Sequence, residues 1–112
     1  MLLLPSEMGY TYKISTLNIN GIPAPTRIHM LEEFLYKHDI DLALLQEVTT
    51  SKIAAIRRYT SYINMGTECR GTVILAKDSY LLANIQRIPA ERGISAYFNG
   101  IRIINIYKII NI

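Results

Sequence analysis

The chain has 112 residues, half of them hydrophobic, with 12 basic and 9 acidic side chains and a formal net charge of +3. That length suits one small domain with material for a core, and the composition argues against a disordered chain. The mild positive balance tolerates a polyanionic partner without arguing for one, and the lone Cys69 excludes an intrachain disulfide and a Cys-based zinc site.

In chain order, residues 1–9 read as a loose leader. Met1 to Leu4 are apolar but Pro5 and Glu7 stop the run, which lacks the basic stretch and apolar length of a signal peptide. No segment approaches the roughly 20 apolar residues that span a bilayer, so no membrane is expected. Residues 10–18 alternate, with Tyr12, Ile14 and Thr16 on one side and Lys13, Ser15 and Leu17 on the other, which predicts a strand. Asn20-Gly21, followed by Pro23 and Pro25, is a turn signal. Thr26 can cap a helix in which Ile28, Leu31 and Leu35 recur at i, i+3 and i+7, Met30 and Phe34 pair at i, i+4, and Glu32, Glu33 and Lys37 take the wet face. His38 and Asp39 close it. The apolar run at 42–45 fits a strand buried on both faces. Strand, helix and strand within about forty residues predict an α/β crossover.

Thr50 or Ser51 can start a short helix through Arg58, and strands follow over 59–65, 72–76, 81–88, 94–98 and 101–107. Asn99-Gly100 between the last two is a strong hairpin signal. The expectation is an α/β (α+β) domain over residues 10–112 that opens as strand-helix-strand and continues as a β-meander.

Chemistry has two candidate places. The first strand runs into Asn18-Ile19-Asn20-Gly21, and the second into Gln46-Glu47. If the two strands are parallel neighbours, both polar groups emerge at the carboxyl edge, where open α/β sheets bind ligands. A carboxylate there can hold a hard cation through oxygen, and a neighbouring amide can orient it. By spacing alone, an Asn before Gly is ordinary turn chemistry and a Glu after an apolar strand an ordinary helix-start residue.

Read together, Leu17-Asn18-Ile19-Asn20-Gly21, Leu44-Leu45-Gln46-Glu47, Arg70-Gly71-Thr72-Val73-Ile74-Leu75 and Ile104-Asn105-Ile106-Tyr107 resemble the first four blocks of the endonuclease/exonuclease/phosphatase superfamily. Within it they are most similar to the apurinic-like endonuclease of non-long-terminal-repeat (LINE-type) retrotransposons. The resemblance implies the N-terminal half of a DNase I-like four-layer α/β sandwich. It implies a Mg²⁺-dependent DNA endonuclease, with Mn²⁺ as an alternative ion, that nicks to leave a 3′ hydroxyl for reverse transcription. It places Glu47 as the metal ligand, Asn18 as the amide supporting it, Asn20 near the phosphate, and Tyr107 beside the scissile phosphate. Arg70 sits on a loop from which it could touch the phosphate backbone. DNA is the expected partner and the location intracellular, nuclear if the chain works as a retrotransposon endonuclease; oligomeric state stays open.

The family follows its tyrosine with a small residue and proline, where this chain has Lys108 and Ile109. The family's Asp-x-Asn and Asp-His blocks and the partner sheet of its sandwich are expected to lie beyond residue 112. The chain is therefore read as a truncated endonuclease, inactive alone and with part of its core exposed. The alternatives are a non-catalytic remnant and a phosphoesterase of the same superfamily with a non-DNA substrate. His29 and His38 read as helix-surface or helix-end residues rather than the missing base. Tyr59, Tyr62, Tyr80 and Tyr97 read as strand packing before base stacking.

Overall fold

In the computed structural model of the protein, residues 2–5, 11–19, 25–49, 51–65, 71–88 and 93–106 are described. Strand β2 (Thr11–Asn18) lies parallel to β3 (Leu42–Val48), in register from Ile14 beside Leu42 to Asn18 beside Gln46. The crossover between them is helix α1 (Pro25–Lys37). It starts one residue before the predicted Thr26 cap, at Pro25, whose fixed φ and missing N–H suit a first helical turn. Leu31 and Leu35 face the core, while Met30 is largely exposed.

The helix ends in a Schellman arrangement. Ile40 N–H donates to Leu35 C=O at 3.0 Å and Asp39 N–H to Tyr36 C=O at 3.2 Å, with Asp39 left-handed at φ 50°. Ile40 and Leu35, both fully buried, make the apolar contact usual across such a cap.

Over Leu2–Pro5 the leader reading is corrected: these residues form strand β1, antiparallel to β2. An uncovered β2 edge would leave a row of unpaired backbone groups, and the apolar start of the chain pairs with them. The predicted helix over 51–58 contracts to a 3₁₀ turn at Ser51–Ala55, and the chain reverses through Arg58 at φ 71°.

The meander expectation holds only in part. Strands β4 (Tyr59–Asn64) and β5 (Gly71–Lys77) pair with each other, and β5 also pairs antiparallel with β3. This makes a five-stranded sheet in the order β1-β2-β3-β5-β4. The meander is confined to β6 (Ala83–Ile88), β7 (Gly93–Phe98) and β8 (Ile101–Ile106), a separate three-stranded sheet. Val73, Ile74, Leu75 and Ala76 of β5 are all fully buried. A strand apolar on both faces needs a central place with layers above and below, and β5 finds it between β3 and β4.

Two cores result. Leu31, Leu35, Leu45, Val73 and Leu75 fill the layer between helix and sheet. Ile14, Leu42, Ile74, Ile94, Phe98 and Ile103 fill the layer between the two sheets. Each such side chain stabilises the fold by about 1.5–3 kcal/mol relative to exposure. The expectation that the partner sheet lies beyond residue 112 is thereby corrected, since β6–β8 form a second sheet packed on the first. Part of the apolar surface is indeed open: Ile104 and Ile106 of β8 are half exposed.

At the end of the sheet where β3 begins, Asp41 gathers several donors. Its carboxylate accepts from Lys13 N–H at 2.7 Å and Tyr80 O–H at 2.8 Å, and meets Lys77 Nζ at 3.1 Å. Lys77 also pairs with Asp39, whose carboxyl is held below its ordinary value chiefly by that hydrogen bond. The Tyr59 hydroxyl, in the same corner, donates to Ile40 C=O.

Candidate active site

The opposite end of β3 carries the predicted groups. Parallel pairing sets Asn18 beside Gln46, one residue before Glu47, and Ile19 N–H donates to Gln46 C=O at 3.1 Å just past the pair. Asn18 and Glu47 are therefore brought together at the carboxyl edge of the sheet. Asn20, Arg70 and Tyr107, the other predicted site residues, lie outside the described residues, as do Cys69, Arg92 and the departures at Lys108 and Ile109.

Glu47 does not sit in a regular strand. Leu45 pairs with Val73 and Val48 with Gly71, so three steps along β3 match two along β5. The extra residue is a β-bulge, and within it Glu47 is left-handed, at φ 57°. Ala43 and Leu45 face the helix-side core, and so does Val48, which strict alternation would have turned to the other face. The bulge thus returns Val48 to the core and leaves Glu47 half-buried at the rim. A non-glycine residue in this conformation carries strain of about 1–3 kcal/mol, and such residues gather at functional sites. Gly71, opposite, must be glycine: a Cβ there would lie 2.7 Å from Asn64 O.

Gln46 points between the sheets. Its Nε2 lies 3.1 Å from Leu44 O, 3.0 Å from Thr16 Oγ1 and 2.7 Å from Asn105 Oδ1. A backbone carbonyl only accepts, so that end of Gln46 is its NH₂. Asn105 then presents oxygen to Gln46, and its Nδ2 donates to Leu45 O and Val73 O, both at 2.9 Å. Asn105 is almost fully buried and ties β8 to β3 and β5. A second buried asparagine, Asn64, ties β4 to the other sheet by donating to Gly93 O at 2.7 Å and Ile88 O at 3.2 Å. The Thr72 hydroxyl, fully buried on the strand opposite the bulge, has no hydrogen-bond partner among the described residues. Outside this seam, Thr16, Asn18, Leu44, Gln46, Ile104 and Ile106 line an open cleft of about 580 Å³ beside β8.

Asn105 escaped the sequence reading as a site residue. A signal was present: the Asn99-Gly100 turn sets the phase of β8, and in that phase Asn105 falls inward with Ile103. The histidines keep their bland reading. His29 pairs with Glu33 on the exposed helix face at 3.1 Å, and His38 lies against the Phe34 ring. Tyr12, Tyr80 and Phe98 pack edge to face, so the first two serve the inter-sheet core.

Among the described residues no three His, Cys, Asp or Glu side chains come together as a metal-binding group. Glu47 is the only acidic residue in any of the eight described strands. One carboxylate with a neighbouring amide fits a Mg²⁺ ion that keeps several waters and shares phosphate oxygens, and does not fit an all-protein cage. Among the described residues no helix is long and apolar enough to cross a membrane.

A helix layer over a five-stranded sheet, backed by a second sheet and with polar groups at the carboxyl edge, defines part of a DNase I-like α/β sandwich. No family model matches the chain, nor does any curated protein. Solved structures do. An AP endonuclease from Archaeoglobus fulgidus superposes with a TM-score of 0.64 at 22% identity, over 86% of this chain and 40% of the other. Truncated Caenorhabditis elegans TDP2 superposes with a TM-score of 0.53 at 18% identity, over 81% and 43%. The chain thus shares the fold of these two structures, a DNase I-like α/β sandwich, and spans about two fifths of their length.

Proposed function

We propose that this chain carries the glutamate half of a Mg²⁺-dependent phosphodiesterase site acting on DNA, of the kind found in retrotransposon endonucleases. The observation that carries the reading is the carboxyl edge of β2 and β3, where Asn18 pairs with Gln46 and the next residue, Glu47, is strained within a bulge. Glu47 would hold the ion, and the Asn18 amide would orient the carboxylate. Asn20, Tyr107 and Arg70 would border the phosphate. A bound Mg²⁺ would polarise the phosphoryl oxygen and offset charge on the leaving oxygen. The likeness to an AP endonuclease favours DNA over other phosphodiesters, and the retrotransposon origin, with its nuclear location, belongs to the same proposal.

A second reading is a half-site that binds without cutting. The single carboxylate among the described strands favours it. Nicking of supercoiled plasmid by the purified chain separates the two, run with Mg²⁺, with chelator, and with Glu47→Ala. Mg²⁺-dependent nicking that disappears in the variant supports catalysis. Nicking that survives chelation or the variant refutes the Glu47 site, and absence of nicking leaves binding alone.

A further inference from the structure

We propose that Asn105 is the positioning residue of this site, acting on Glu47 through the β-bulge; the role rests on the reading of Glu47 as a metal ligand. The bulge begins just past the Leu45–Val73 register pair. The carbonyls of those two residues both accept from the Asn105 amide, at 2.9 Å each. One side chain thus grips both strands at the point where their registers part. Its oxygen accepts from Gln46, the residue between that pair and Glu47. Gln46 is held in turn to Thr16 on β2, two residues before Asn18. Asn105 therefore links the strand bearing Glu47, its antiparallel neighbour and, through Gln46, the strand bearing Asn18.

The energetic logic follows from burial. Hydrogen bonds within a buried seam are strong because water does not compete, and a carbonyl that loses its donor there is costly. That cost is of the same order as the strain in a left-handed non-glycine residue. Removing the Asn105 amide therefore takes away a stabilisation large enough to hold Glu47 in its bulge. The carboxylate would then follow regular alternation and leave its place at the rim of the carboxyl edge. Partners that orient metal ligands are typically worth about 10–100-fold in metal affinity.

The test is solution NMR of the whole chain with Mn²⁺ as the paramagnetic probe. The Glu47 amide-to-Hα coupling and Cα shift report its φ, and Mn²⁺-dependent broadening reports the site. In Asn105→Ala, Glu47 is expected to move from left-handed to extended φ, and Mn²⁺ affinity to fall about 10–100-fold. Asn105→Thr, which suits a strand and keeps one hydroxyl donor, is expected to fall between; it is read in the same way if the alanine variant does not fold. Asn64→Ala is the control. It removes the other buried asparagine, whose side-chain partners among the described residues lie on the second sheet. It should lower stability while leaving Glu47 φ and Mn²⁺ affinity unchanged.

A folded Asn105 variant with unchanged φ and affinity overturns the positioning role, and so does an equal loss in Asn64→Ala. Failure of Mn²⁺ to broaden Glu47 in the unaltered chain overturns the metal reading itself, and is seen before any Asn105 variant is made.

Discussion

Glu47 at φ 57° and Thr72 across from it share the same few ångströms of sheet edge, and both are unfavourable for folding taken alone. The first is strained, and the second buries a hydroxyl that has no partner among the described residues. Such local costs are tolerated where a site must be shaped, and they mark the edge more clearly than residue identities do. Thr72→Val replaces the orphaned hydroxyl with a methyl of similar size in a strand position. It is expected to raise stability by about 1 kcal/mol, read as a higher urea midpoint at unchanged slope. A lower midpoint would mean that the hydroxyl is satisfied in solution. Asn18 and Glu47 were legible as candidates because their types and order carry the resemblance. The bulge was not, because no residue type demands it: glutamate has no preference for a left-handed backbone, and only the pairing with β5 creates the extra step.

The hairpin of β7 and β8 shows how far local chemistry reaches. Asn99 at φ 54° and Gly100 at φ 80° form a two-residue turn between Phe98 and Ile101, which are register partners. This matches the type I′ requirement for positive φ at both central positions. A Cβ on Gly100 would meet nothing within 4 Å, so substitution there is conformational in its effect alone. Gly100→Ala is expected to cost about 1 kcal/mol, seen as a lower thermal midpoint with unchanged far-UV circular dichroism. The end of α1 follows a tertiary logic instead. Asp39 takes the place where glycine is usual, and its carboxylate recovers interaction energy by pairing with Lys77 of β5. The i, i+3, i+7 stripe of α1 faces the core: Leu31 and Leu35 are buried and Ile28 packs against the same cluster.

Across the molecule, the two ends of the central sheet do different work. One end offers Glu47, Asn18 and a cleft, while the other is tied by the hydrogen bonds and ion pairs of Asp41, Lys77, Tyr59 and Tyr80. Burial, partly offset by the Lys77 ammonium, pushes the Tyr59 hydroxyl from 10.0 up to about 12. Burial and then the hydrogen bond to Asp41 do the same for Tyr80. A folded value raised above the unfolded one contributes stability that is whole below pH 10 and lost as pH rises through about 12. Absorbance at 295 nm should show two tyrosines ionising late, with unfolding accompanying their titration. Ionisation of every tyrosine near pH 10 with the fold intact would refute this account of the Asp41–Lys77 end.

Strand-helix-strand, the Asn-Gly hairpin and the candidate edge residues were readable from the amino-acid sequence because each is a matter of neighbours: periodicity within a segment, or turn chemistry over two residues. The pairing of β5 with β3, the division of the strands between two sheets, the strand at Leu2–Pro5, the bulge at Glu47 and the grip of Asn105 came only with the tertiary structure. Alternation tells which face a side chain shows and is silent on which distant strand will lie beside it. Asn105 and Gln46 are 59 residues apart, and only closure of the two sheets on one another puts an amide where two carbonyls need a donor.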